Sequence, residues 1–185
     1  MKRLILLLCI WPALAAAQDE NGADTAGNWV VTHQETFGIW STLCDQRANA
    51  PDTTKRCYIR WVDVFSPRPK FGAVFLFVTA ENDGLAVEFG LEPGTLFESD
   101  GFRIDEGSRT IWQTRRPGCL TGIACRFTGE QAAPLLAAMQ SQGALALNFV
   151  DRHGTGQNRL WPLAGFDAAF KDFQAQRAAR GLSDS

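Results

Sequence analysis

The apolar positions of this chain fall into short runs, many of them alternating with polar residues, and turn-forming residues separate the runs. Ten of them have the length and β-branched or aromatic content of strands: Trp29 to His33, Phe37 to Leu43, Arg56 to Phe65, Ala73 to Ala80, Leu85 to Leu91, Phe102 to Ile104, Thr110 to Arg115, Ala124 to Thr128, Ala144 to Val150 and Asn158 to Leu163. The breaks carry Pro51-Asp52, Pro67-Arg68-Pro69, Asn82-Asp83-Gly84, Glu92-Pro93-Gly94, Asp100-Gly101, Glu106-Gly107, Pro117-Gly118 and His153-Gly154. Turn chemistry at this spacing predicts an antiparallel β-sandwich or barrel. The run Ala73 to Thr79 is apolar at every position but its last, which predicts a strand covered on both faces.

Two segments instead carry the helical period. Glu130 to Gln142 places Ala132, Leu135, Leu136 and Met139 on one face, with Thr128 and Gln131 spaced as a capping box and Gly143 suited to the C′ position. Pro134 is compatible with that helix only near its first turn. Phe166 to Arg180 aligns Phe166, Ala169, Phe170 and Phe173, with Arg177 and Arg180 toward the end where cations suit the helix dipole. The pattern predicts one domain over residues 28–176, with 177–185 as a fraying tail.

The first seventeen residues have a different character. Lys2-Arg3, an apolar run from Leu4 to Trp11, and Ala15-Ala16-Ala17 have the three parts of a signal peptide cleaved between Ala17 and Gln18. The apolar run is too short to span a bilayer. Lipidation at Cys9 is disfavoured because Leu8, rather than a small residue, precedes it. Gln18 to Gly27 is polar and without period, as in a disordered leader. Cleavage leaves 168 residues and takes the formal charge from −2 to −4, with no basic block, which argues against nucleic acid as a partner.

Export changes the meaning of the cysteines. The mature chain keeps Cys44, Cys57, Cys119 and Cys125, an even set in an oxidising compartment. Four cysteines allow three pairings and the sequence alone does not choose among them. Short loops rich in turn formers favour Cys44–Cys57 and Cys119–Cys125. There is no C-x-x-C, and the spacings do not suit a four-cysteine zinc site, so structural disulfides are the expectation.

Little in the sequence points to catalysis. The two histidines are His33, in a strand, and His153, in the turn Asp151 to Gly156. No G-x-S-x-G elbow or H-E-x-x-H accompanies them. Gly154-Thr155-Gly156 is too short for a phosphate loop, and the acidic pairs lack calcium-ligand spacing. No catalytic residue, metal or cofactor is expected. Trp29, Trp40, Trp61, Trp112 and Trp161 are expected to fill the core, and the loop cations Arg68, Lys70, Arg115 and Arg116 are the first candidates for a binding surface.

Taken in order, several pieces resemble the invasion-associated locus B family of exported bacterial proteins. They are Phe37-Gly38-Ile39-Trp40 with Cys44, Cys57, Leu91-Glu92-Pro93-Gly94, Gly101-Phe102-Arg103-Ile104-Asp105, Cys119 and Cys125, Leu135 to Met139, and Leu163-Ala164-Gly165-Phe166 with Ala169. The chain departs from the pattern where Ala124 precedes Cys125, where Thr121-Gly122-Ile123 lengthens that loop, and over Ser66 to Lys70. The resemblance implies a mainly β, immunoglobulin-like antiparallel sandwich with an internal and a C-terminal helix, located in the periplasm or on the outer surface. It implies no catalytic residue or cofactor, and it links pathogenic members to host-cell invasion. The expected function is non-catalytic binding of a protein in the envelope or on a host surface. The alternatives are a lipid or glycan carrier and a hydrolase using His153.

Overall fold

The computed structural model describes residues 29–48, 53–66, 71–81 and 84–182. The signal peptide with its Ala17/Gln18 junction, the leader, and the loop cations Arg68 and Lys70 lie outside the described residues. The chain is mainly β, in two antiparallel sheets. Strands β1 (Val30–Phe37), β2 (Trp40–Ala48), β3 (Thr53–Ser66), β4 (Gly72–Glu81), β5 (Gly84–Gly90) and β8 (Cys125–Phe127) form one sheet in the order β1-β2-β3-β4-β5-β8. Strands β6 (Leu96–Glu106), β7 (Arg109–Gln113), β9 (Ala144–Val150) and β10 (Gly156–Pro162) form the other, ordered β10-β9-β6-β7. The helices are α1 (Pro117–Leu120), α2 (Ala132–Met139) and α3 (Phe166–Ala179). None is long and apolar enough to cross a membrane among the described residues.

Two antiparallel sheets fit a β-sandwich, while the strand order does not itself establish the immunoglobulin pattern. In that fold the third strand already crosses to the second sheet, whereas here the first five are consecutive neighbours in one sheet. Two-residue and other tight turns favour such a meander because each strand pairs with the one just made.

Between the sheets runs a chain of aromatic rings. Phe97 stacks on Phe102 at 5.0 Å, Phe102 meets Phe89 edge-on at 4.8 Å, and Phe89 lies 6.5 Å from Trp161. Trp161 touches Trp40 at 6.5 Å, and Trp40 meets Phe166 of α3 at 5.1 Å. The rings come from β6, β5, β10, β2 and α3, so this chain couples both sheets to the helix. Leu135, Leu136 and Met139 of α2 complete the core. The core expectation is corrected at three indoles. Trp61 and Trp112 pack only at the core margin, and Trp29 is half-buried beneath the guanidinium of Arg56, 3.8 Å from its ring centre.

Other boundaries also moved. The run Phe37 to Leu43 is split by a two-residue turn at Gly38-Ile39, with Phe37 opposite Trp40 and Gly38 at φ +65°. Glycine at the first turn position is what a type II′ hairpin requires. Asp100-Gly101 is an irregularity inside β6 rather than its start, and a Cβ at Gly101 would lie 2.4 Å from the Asn148 carbonyl oxygen. Pro117-Gly118 opens the short helix α1. The Thr128 hydroxyl makes no capping bond, and α2 is preceded by a 3-10 turn over Gly129–Gln131. It ends at Met139 with Gln140 as its C-terminal cap, three residues before Gly143. The tail expected from residue 177 is folded as far as Leu182. Arg177 is buried and donates to the Leu182 carbonyl oxygen at 2.8 Å, and Leu182 N–H returns 2.9 Å to Arg177.

The structure bonds Cys44 to Cys57 and Cys119 to Cys125. Cys44 stands directly opposite Cys57 on β2 and β3, so the first bridge holds the register of that hairpin. Converting both of these cysteines to alanine should lower stability by about 3 kcal/mol on the chain-entropy model, and removing Cys119–Cys125 by about 2 kcal/mol. Urea midpoints of the two double variants give the comparison. A smaller shift for Cys44/Cys57 than for Cys119/Cys125 would contradict it.

Candidate functional site

Alternation along β3 places Cys57, Ile59, Trp61 and Asp63 toward the core and Arg56, Tyr58, Arg60 and Val62 on the outer face. The neighbouring strands continue that face. Arg60 stands opposite Phe77 on β4, Phe77 opposite Glu88 on β5, and Glu88 opposite Arg126 on β8. One row across four strands therefore reads cation, aromatic, anion, cation. Above it lies an open groove of about 640 Å³, whose lining also includes Arg56, Tyr58, Thr79 and Glu81. The outer side of β4 is thus only half covered, at Phe75, Phe77 and Thr79, which corrects the expectation of a strand buried on both faces.

Most charges in the groove are partnered. Arg56 forms a two-pronged pair with the buried Asp45 carboxylate at 2.7 and 3.1 Å. Asp45 also accepts the Tyr58 hydroxyl at 3.2 Å. Burial first, then the adjacent Asp45 charge and hydrogen bond, hold the Tyr58 hydroxyl above its ordinary pKa and keep it a neutral donor. Arg126 pairs with Glu81 and, at 3.7 Å, with Glu88. Arg60 differs: it is half-buried, and among the described residues it has no ion pair or hydrogen bond. The same side chain borders a second cleft of about 370 Å³ with Thr36, Ser41 and Trp61, whose Nε1–H is buried without an acceptor.

Of the loop residues singled out in the sequence, Arg115, Arg116 and His153 lie outside the groove lining. Arg115 is exposed. Arg116 is committed to the fold: its guanidinium donates to the Arg126 carbonyl oxygen and to Gln131 Oε1, and it lies 4.9 Å from the Phe127 ring centre. His153 is exposed in its turn. Its backbone N–H, not its imidazole, meets Asp151 Oδ1 at 2.9 Å. The Asp151 carboxylate also accepts Thr155 N–H at 2.9 Å and Gln157 Nε2 at 3.0 Å. These bonds, that from Thr155 foremost, hold it below the usual carboxylate pKa even though burial opposes them. The other histidine, His33, joins β1 to α3 through a 2.8 Å contact with Asp172. Among the described residues no three His, Cys, Asp or Glu side chains are grouped to hold a metal ion.

The groove was missed because its members are spread over four strands. The period-two pattern Arg56-x-Tyr58-x-Arg60 did mark an outward face, but which residues that face meets depends on strand register.

No protein-family model matches the chain, and no curated protein matches it. Among solved structures it is similar to the crystal structure of invasion associated protein b from Bartonella henselae, at 22% sequence identity and a TM-score of 0.46, over 80% of this chain and 99% of that one.

Proposed function

We propose that the protein is a non-catalytic, exported envelope component of the invasion-associated locus B type, working in the periplasm or on the outer surface by binding another protein. Two disulfides fit a life outside the cytoplasm. The family reading rests on the ordered residues given above, several of which meet in three dimensions. Trp40 meets Phe166 edge-on at 5.1 Å, and Gly165 lies so close to Phe37 that a Cβ there would be 2.5 Å from its carbonyl oxygen.

The observation that carries the binding reading is Arg60, a half-buried residue that has no counter-charge among the described residues and lines an open groove beside Tyr58 and Phe77. Partial burial of an unpaired cation costs free energy that a ligand can return. Aromatic and arginine side chains are also those that most often dominate protein interfaces. A photo-crosslinking amino acid at the position of Thr79, in the groove, should give a discrete adduct in intact cells. The same group at Asn158, exposed on the other sheet, should not. Loss of the adduct on Arg60→Glu would tie it to the groove, whereas equal adducts from both positions would refute the assignment.

A further inference from the structure

Resting on the binding reading above, we propose that the groove recognises an extended peptide segment of the partner carrying an acidic side chain, then an apolar or aromatic one, then a basic one. The charges in the groove are ordered. At its β3 end Arg60 has no counter-charge among the described residues, which leaves one positive charge there uncompensated. At its other end two carboxylates, Glu81 at the end of β4 and Glu88 on β5, share the single guanidinium of Arg126, which leaves one negative charge in excess. Arg56 and Asp45 cancel one for one. Between the two ends lies Phe77, with the Tyr58 ring of β3 6.0 Å from it. The groove is therefore dipolar with an aromatic middle.

The dimension selects the ligand. Arg60 and Glu88 are separated by two strand spacings, about 10 Å. A peptide extended in the polyproline II conformation rises about 3.1 Å per residue with three residues per turn, so side chains three apart share a face and span that distance. A ligand of a single sign, such as a sulfated glycan or an anionic lipid surface, would satisfy Arg60 but meet the excess carboxylate at the other end. A peptide supplies both signs and the apolar residue between them within four residues. Arg60 gains its missing counter-charge, and Glu88, which shares Arg126 with Glu81 and whose side chain is 54% exposed, is accessible to a second cation.

The test is an amide-shift titration of the full mature chain, both disulfides intact, with blocked peptides. Acetyl-Glu-Gly-Phe-Lys-amide should saturate shifts confined to the neighbourhood of Arg60, Phe77 and Glu88. The neutral acetyl-Gln-Gly-Phe-Gln-amide should bind at least about tenfold more weakly. Arg60→Glu should weaken the charged peptide by a similar factor, and so should Glu88→Lys, at a position exposed enough to leave folding intact. Equal affinity for the neutral peptide, shifts outside the groove, or tighter groove binding by a sulfated disaccharide would overturn the proposal. Failure here with a persisting groove adduct in cells would mean that the protein binds there but that the ligand class is wrong. Loss of both would remove the binding reading itself.

Discussion

Truncating Trp40 to alanine is expected to destabilise the domain by about 3–5 kcal/mol, a large share of a total that is typically about 5–15 kcal/mol. Trp40 is fully buried and is the ring through which the aromatic chain of the core passes from Trp161 to Phe166 of α3. Its loss opens a void where sheet, sheet and helix converge, and it leaves the Pro162 carbonyl oxygen without its indole donor. The surroundings have little room to collapse. The β1–β2 turn is pressed against the start of α3, where Gly165 sits at φ +91° against the backbone of Phe37 and Gly38. Trp40→Phe keeps a ring but not the N–H, so it should cost about 1–2 kcal/mol. Urea unfolding separates the cases: the midpoint should fall in the order wild type, Trp40→Phe, Trp40→Ala, with the slope unchanged. Equal midpoints for the two variants would show that volume at this position does not hold the helix to the sheets.

Features set by neighbours in sequence could be read directly. The break at Glu106-Gly107 falls where one strand ends and the next is about to begin, and the Phe166 to Phe173 stripe lies on a helix. What failed were signals that local chemistry conceals. Gly38-Ile39 turns the chain between two apolar residues, so nothing polar marked the corner. Asp100-Gly101 looked like a turn because a strand irregularity and a turn use the same residues. Arg116 looked like a free loop cation, yet its partners, the Arg126 carbonyl oxygen and Gln131, lie 10 and 15 residues away. The groove is the extreme case. Arg126 reaches it from β8, which joins the first sheet only after the chain has built β6, β7 and α1. The charge order that gives the groove its chemistry is a property of register, and a single strand does not display it.

The same non-locality governs Asp63, whose partner Arg159 is 96 residues away on the opposite sheet. The Asp63 carboxylate is buried and accepts Arg159 Nε at 2.8 Å and Nη2 at 2.7 Å, with Trp161 Nε1–H at 2.7 Å as a third donor. Asp63→Ala should therefore cost about 4 kcal/mol, since it leaves a cation without its counter-charge and an indole N–H without an acceptor. Arg159 is about one-third exposed, so water recovers part of the charge term and keeps the loss below the upper end for such pairs. Removing both charges is a different experiment. In Asp63→Leu with Arg159→Met the two desolvation costs disappear together, and only the Trp161 N–H is left to satisfy, so the double variant should be more stable than Asp63→Ala alone. A thermodynamic cycle over Asp63 and Arg159 measures the coupling, expected at about 2 kcal/mol. Coupling near zero would mean that the pair contributes nothing beyond its separate contacts, and that the facing of the two sheets is held by the aromatic chain alone.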